Sequence, residues 1–127
     1  MEPAPPTGRT VLVVEDEPIE CEELAAVLRH AGYAVRTAAD GHEALECLLA
    51  SPAPCVVLLD MFLPGIDGWD LLKVYKRDPA LAGVPVIILS SLDVGSLAWA
   101  ASLGAAGYLR KPVASAALLE AVRRVCG

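Results

Sequence analysis

The chain reads as an α/β domain of (βα)5 type: a doubly wound, five-stranded parallel sheet with helices on both faces. Three observations predict it. Strand-length apolar runs alternate five times with helix-length segments. The first, third and fourth runs (TVLVV, CVVLL and VPVIIL) are nearly continuous, as strands covered on both faces require. Four runs stop at chemically active groups: Glu15, Asp16 and Glu17 after the first, Asp60 after the third, Ser90 and Ser91 after the fourth, Arg110, Lys111 and Pro112 after the fifth. In a parallel sheet the carboxyl ends of the strands share one edge, where such folds place their sites.

The elements follow in order. The first strand is expected at Thr10–Val14. The first helix runs from Pro18 to Ala31, with proline in the first turn, where its missing N–H costs nothing, and Gly32 past the end. Tyr33–Ala38, more mixed in polarity, suits a second strand at a sheet edge. Asp40 supplies a cap for a second helix through HEALECLLA, which stops before Pro52. The third strand covers Cys55–Leu59, and the third helix about Gly68–Arg77, with Leu71, Leu72 and Tyr75 inward. The fourth strand is placed at Val84–Leu89. Asp93 or Ser96 caps a fourth helix ending at Gly104, Gly107–Leu109 forms the fifth strand, and a fifth helix fills Ala114–Cys126. Residues 1–8, rich in proline, are read as a flexible tail, and residues 9–127 as one domain.

With 127 residues and 55% hydrophobic side chains, the chain has enough apolar material for one core. Its apolar runs fall short of the ~20 residues of a membrane-spanning helix. The start MEPAPPTGRT lacks the basic and apolar regions of a signal peptide, so a cytoplasmic protein is expected. A net charge of −6 argues against direct nucleic-acid binding, which needs a basic face. Cys21, Cys47, Cys55 and Cys126 show neither CxxC nor zinc-ligand spacing. All four are read as core thiols with no redox role. His30 and His42 have no partner at ligand spacing and are read as surface residues, and Lys73, Lys76 and Arg77 as a solvated helix face.

Glu15, Asp16 and Asp60, brought to one edge, repel one another unless a proton or a cation joins them. Their hard oxygens suit Mg²⁺, which takes one or two carboxylates and leaves room for water and phosphate oxygens. Asp60 then fits a nucleophile that forms an acyl phosphate. Lys111 supplies a compact positive charge for a phosphoryl oxygen, and Ser90 a hydroxyl donor, which are the parts phosphoryl transfer needs. A Mg²⁺-dependent phosphatase would place an acid two residues after its nucleophile, where this chain has Phe62. A nucleotide- or flavin-binding domain would need GxGxxG or a P-loop, and neither is present.

These residues carry a family resemblance. The chain resembles the receiver domains of two-component response regulators, of the chemotaxis-regulator kind. VVEDEP is similar to the acidic-pair motif, LLDMFLPGIDG to the phosphoacceptor strand and loop, VIILSS to the hydroxyl motif, and GAAGYLRKP to the lysine motif. The likeness spans about residues 9–126 and implies a flavodoxin-like strand order 2-1-3-4-5. It implies that Asp60 accepts a phosphoryl group from a histidine kinase or histidine phosphotransfer protein. Asp16, Asp60 and the backbone carbonyl of Phe62 would ligate Mg²⁺, with Glu15 acting through water. Lys111 would hold the phosphoryl oxygen ahead of a cis bond to Pro112, and Ser90 and Tyr108 would move together as the switch. The protein would then be a signalling switch and not a turnover enzyme. Phe62 and Leu92, two residues after Asp60 and Ser90, flank the path of hydrolytic water in this family, and an apolar pair there implies slow self-dephosphorylation.

From Val94 to Leu109 the sequence has no charged side chain. A surface helix normally has a charged face, so Leu97 and Trp99 of the fourth helix, with Ala117 and Ala121 of the fifth, are expected to form an apolar interaction surface for a homodimer or a protein partner. In receivers the face made by the fourth helix, fifth strand and fifth helix transmits the signal. A single-domain regulator and a piece of a longer protein are equally compatible with the motifs.

Overall fold

The computed structural model describes residues 9–50, 53–60, 68–78, 83–91, 97–102 and 104–126; the side chains of residues 50, 69, 72, 75 and 97–99 lie outside this description. Ten elements alternate along the chain: β1 (Thr10–Val14), α1 (Pro18–His30), β2 (Ala34–Ala38), α2 (Gly41–Ala50), β3 (Val56–Asp60), α3 (Gly68–Arg77), β4 (Val86–Ser90), α4 (Leu97–Ser102), β5 (Gly107–Arg110) and α5 (Ser115–Cys126). The strands form one parallel sheet in the order β2-β1-β3-β4-β5. This is the flavodoxin-like arrangement, with helices on both faces.

Alternation along the strands divides the core in two. Val11 and Val13 of β1, Val56 and Leu58 of β3, and Ile87 and Leu89 of β4 pack with Leu24 and Leu28 of α1 and Leu118 and Val122 of α5. The intervening Leu12, Val14, Val57, Leu59, Val86 and Ile88 pack with Ala44 and Leu48 of α2, Leu71 of α3 and Ala100 of α4. Because both strand faces are covered, the three central strands need apolar residues at every position, and β3 and β4 are buried throughout. The edge strands β2 and β5 are mostly half-buried, which is why their sequences are mixed.

Local chemistry sets the element ends. Pro18 opens α1, and the Glu17 carboxylate accepts the Glu20 amide at 2.8 Å as its cap. At the other end Gly32 has φ 101°, and the Tyr33 and Gly32 amides donate to Leu28 and Arg29 carbonyls, a Schellman closure. Asp40 caps α2 through the Glu43 amide at 2.8 Å. Gly104, φ 84°, closes α4 in the same way as Gly32 closes α1.

The boundaries shift from the expected ones at four strands, β5 among them, which runs one residue further to Arg110. β2 starts at Ala34, one residue after Tyr33. β3 and β4 run on to include Asp60 and Ser90, because their ladder pairs reach Asp60–Leu89 and Ser90–Arg110. The fourth strand begins at Val86 and not Val84, since Pro85 has no amide to donate. Asp93 and Ser96, the expected caps of the fourth helix, and the proline-rich residues 1–8 lie outside the described residues.

The expectation of four core thiols is corrected. Cys55 and Cys126 form a disulfide, with Cα atoms 5.5 Å apart and a sequence separation of 71. Packing of α5 against β3 brings the last turn of the helix to the residue just before the strand, a juxtaposition that sequence spacing does not encode. Cys21 and Cys47 remain half-buried thiols.

Candidate functional site

The ends of β1 and β3 are neighbours in the sheet, so Glu15 and Asp60 meet without any loop having to carry them. The Glu15 amide extends the β1–β2 ladder by donating to Ala38 O at 3.0 Å, which points its side chain into the site, and Oε1 accepts the Glu17 amide at 3.2 Å. Both carboxylates are buried, Glu15 to 2% exposure and Asp60 to 5%, whereas Asp16 is exposed. One oxygen from each of Glu15, Asp16 and Asp60 lies within 4.8 Å of the others.

Lys111 enters from the far side of the sheet. Its amide donates to Ser90 O at 2.9 Å, continuing the β4–β5 ladder, and the following Lys111–Pro112 bond is cis. The ammonium then reaches back over β3, donating to Asp60 Oδ2 at 3.1 Å and to Glu15 Oε2. A third acceptor, Glu20 Oε2 at 3.0 Å, comes from the first turn of α1. Sequence reasoning missed Glu20. Its signal was its place on the first turn after the acidic pair, on the edge shared by the strand ends.

The electrostatics follow from burial and crowding. Burial pushes Glu15 up from 4.5 to about 7; the Lys111 hydrogen bond opposes the rise and the Asp60 carboxylate adds to it. Burial alone would lower the Lys111 ammonium, but its bonds to Glu15, Glu20 and Asp60 outweigh it and hold the group above its ordinary range. A site where one buried acid retains its proton toward neutrality has a deficit of positive charge. Clustered carboxylate oxygens of this kind suit a hard divalent cation.

Ser90, the expected hydroxyl donor, is fully buried at the end of β4. Tyr108 is half-buried and packs against the α2–α3–α4 side of the core. Phe62 and Leu92 lie outside the described residues, as do the side chains of Leu97 and Trp99. Of the expected interaction surface, Ala117 is exposed and Ala121 half-buried. They line a shallow groove with β5, beside Glu120 and Arg124, which pair at 2.8 Å. The charge-free stretch is thus bordered by charges from α5.

The family comparison decides the assignment. The response regulator receiver domain family matches residues 11–123. The chain belongs to that family. Receiver domains are phosphorylation-dependent signalling modules of two-component systems, switches and not catalysts. This receiver is 33% identical over 116 residues to PilH of Pseudomonas aeruginosa, covering 91% of this chain and 95% of PilH. It is 35% identical over 114 residues to the response regulator PleD of Caulobacter vibrioides, covering 89% of this chain but 25% of PleD. Among solved structures, CheY4 of Vibrio cholerae superposes with a TM-score of 0.80 at 30% identity, covering 92% of this chain and 98% of that one. The receiver domain of a histidine kinase from Syntrophus aciditrophicus superposes with a TM-score of 0.82 at 30% identity, covering 93% and 89%. Receivers like this one therefore occur both nearly alone and inside longer proteins. No helix among the described residues is long and apolar enough to cross a membrane.

Proposed function

We propose that Asp60 is the phosphoacceptor of this receiver and takes its phosphoryl group from the phosphohistidine of a kinase or phosphotransfer protein. The observation that carries this reading is the Lys111 ammonium held against Asp60 and Glu15 at the carboxyl edge of the sheet. An Asp60 carboxylate oxygen bonds to phosphorus as the phosphorus–nitrogen bond to the donor imidazole breaks. The imidazole leaves with that electron pair and takes up a proton. Lys111 stays within reach of the phosphoryl oxygens and offsets part of their charge. Glu15, Asp16, Asp60 and the Phe62 carbonyl would hold Mg²⁺, with Glu15 acting through water. When bound, the ion neutralises phosphoryl oxygens and draws them toward the acceptor.

Ser90 is the hydroxyl that then moves toward the phosphate, and Tyr108 turns inward with it, changing the α4–β5–α5 face. Leu97, Trp99, Ala117 and Ala121 on that face meet a second copy or a protein partner. The domain takes residues 9–127, acts in the cytoplasm, and binds neither nucleic acid nor membrane directly.

Intact mass spectrometry after incubation with Mg²⁺ and acetyl phosphate tests the acceptor. Wild type is expected to gain one phosphoryl group and Asp60→Asn none. Equal gain by both would overturn the assignment. No gain by folded wild type, from acetyl phosphate or from a phosphorylated histidine kinase, would remove the switch.

A further inference from the structure

Lys111 has a partner that the phosphoryl chemistry does not require. Glu20 lies on the first turn of α1, not on a strand end, and its side chain is 49% exposed where that of Glu15 is 1% exposed. It reaches the same ammonium at 3.0 Å, on the solvent side of the site, where it lines a groove of about 300 Å³ with Lys111, Pro112 and Val113. The backbone prepares this reach: the Glu20 amide is tied at 2.8 Å to the Glu17 carboxylate, the cap that fixes the first turn.

We propose that Glu20 is a positioning residue that latches Lys111 in the unphosphorylated receiver and competes with the incoming phosphoryl group for its ammonium. The inference rests on the reading of Asp60 as acceptor. A phosphoryl oxygen on Asp60 needs the same donor hydrogens that Glu20 occupies, so the Glu20 ion pair must yield before Lys111 serves the phosphoryl group fully. The latch therefore favours the resting state. Its effect is bounded by its exposure, because a partly solvated ion pair is screened by water.

The test is titration of the Mg²⁺-loaded chain with beryllium fluoride, a phosphoryl mimic that bonds to aspartate oxygen, in wild type, Glu20→Gln, Glu20→Asp and Glu23→Gln. Glu23 lines the same groove, so its neutralisation removes the same charge one turn along α1. Glu20→Gln is expected to tighten binding about fivefold, which is ~1 kcal/mol. Glu23→Gln is expected to stay within about half that change, and Glu20→Asp to fall between wild type and Glu20→Gln. An unchanged affinity in Glu20→Gln overturns the latch, and so does an equal gain in Glu23→Gln, which would reduce the effect to rim charge. If wild type takes up neither beryllium fluoride nor a phosphoryl group from acetyl phosphate, the reading of Asp60 itself fails and the latch fails with it. If wild type takes up both, a null result at Glu20 counts against the latch alone.

Discussion

Glu15 sets the pH behaviour of the metal-free site. In the unfolded chain it releases its proton near 4.5, and in the folded chain at about 7. The folded state therefore binds more protons between those values, and stability falls as pH rises from 4.5 to 7, then levels. The shift points to a loss on the order of 1–3 kcal/mol across that window. The Lys111 ammonium, held above its ordinary range, keeps its contribution throughout and loses it only in strong base. Mg²⁺ and the Glu15 proton exclude one another, so Mg²⁺ affinity should rise by up to about tenfold per pH unit up to 7 and then flatten. Glu15→Gln should abolish that slope. Calorimetric Mg²⁺ titrations from pH 5.5 to 8.5 check both, and a flat wild-type profile would show that no Glu15 proton competes with Mg²⁺ in that window.

At the scale of elements, most of the architecture was legible. β1, β3 and β4 announce themselves because a strand covered on both faces needs apolar residues at each position, and the structure divides those residues between the two core clusters. Pro18, Gly32 and Asp40 mark helix ends for reasons that are local, so they too could be read. The disulfide was not legible, and Glu20 was marked only by its place in the first turn after the acidic pair, since both contacts depend on how α5 and α1 settle against the sheet. The connections after β3 and β4 carry a prediction of their own. Phe62 and Leu92 follow Asp60 and Ser90 by two residues, and the resemblance to receivers implies that an apolar pair there fails to align hydrolytic water. Phe62→Asn should therefore shorten the lifetime of phosphorylated Asp60 several-fold, on the order of 1 kcal/mol in the barrier. Decay followed by intact mass decides it, and identical lifetimes would dismiss the idea.

For the whole molecule, the disulfide closes a covalent ring from Cys55 to Cys126 that contains Asp60, Ser90 and Lys111, while Glu15 and Asp16 stand outside it. Closing a loop of this size restricts the unfolded chain and contributes about 2–4 kcal/mol to stability. Urea unfolding should show wild type losing that amount on reduction and Cys126→Ser losing it without reduction, with dithiothreitol adding nothing in the variant. Equal midpoints for oxidised wild type and Cys126→Ser would mean that the ring adds no stability. A reducing compartment keeps such pairs as thiols, so the oxidised and reduced proteins would share one fold at different stabilities.

The same bond draws the two ends of the folded domain together. Cys55 donates its amide to the carbonyl of Thr10 at 2.8 Å while its sulfur joins Cys126, so the first strand residue and the last helical turn flank one position. That position is at the amino edge of the sheet, opposite Asp60. The ends of the described residues, Arg9 and Cys126, therefore lie at the back of the molecule. A short linker could also join the two ends into a circular permutant without crossing the mouth of the acidic pocket.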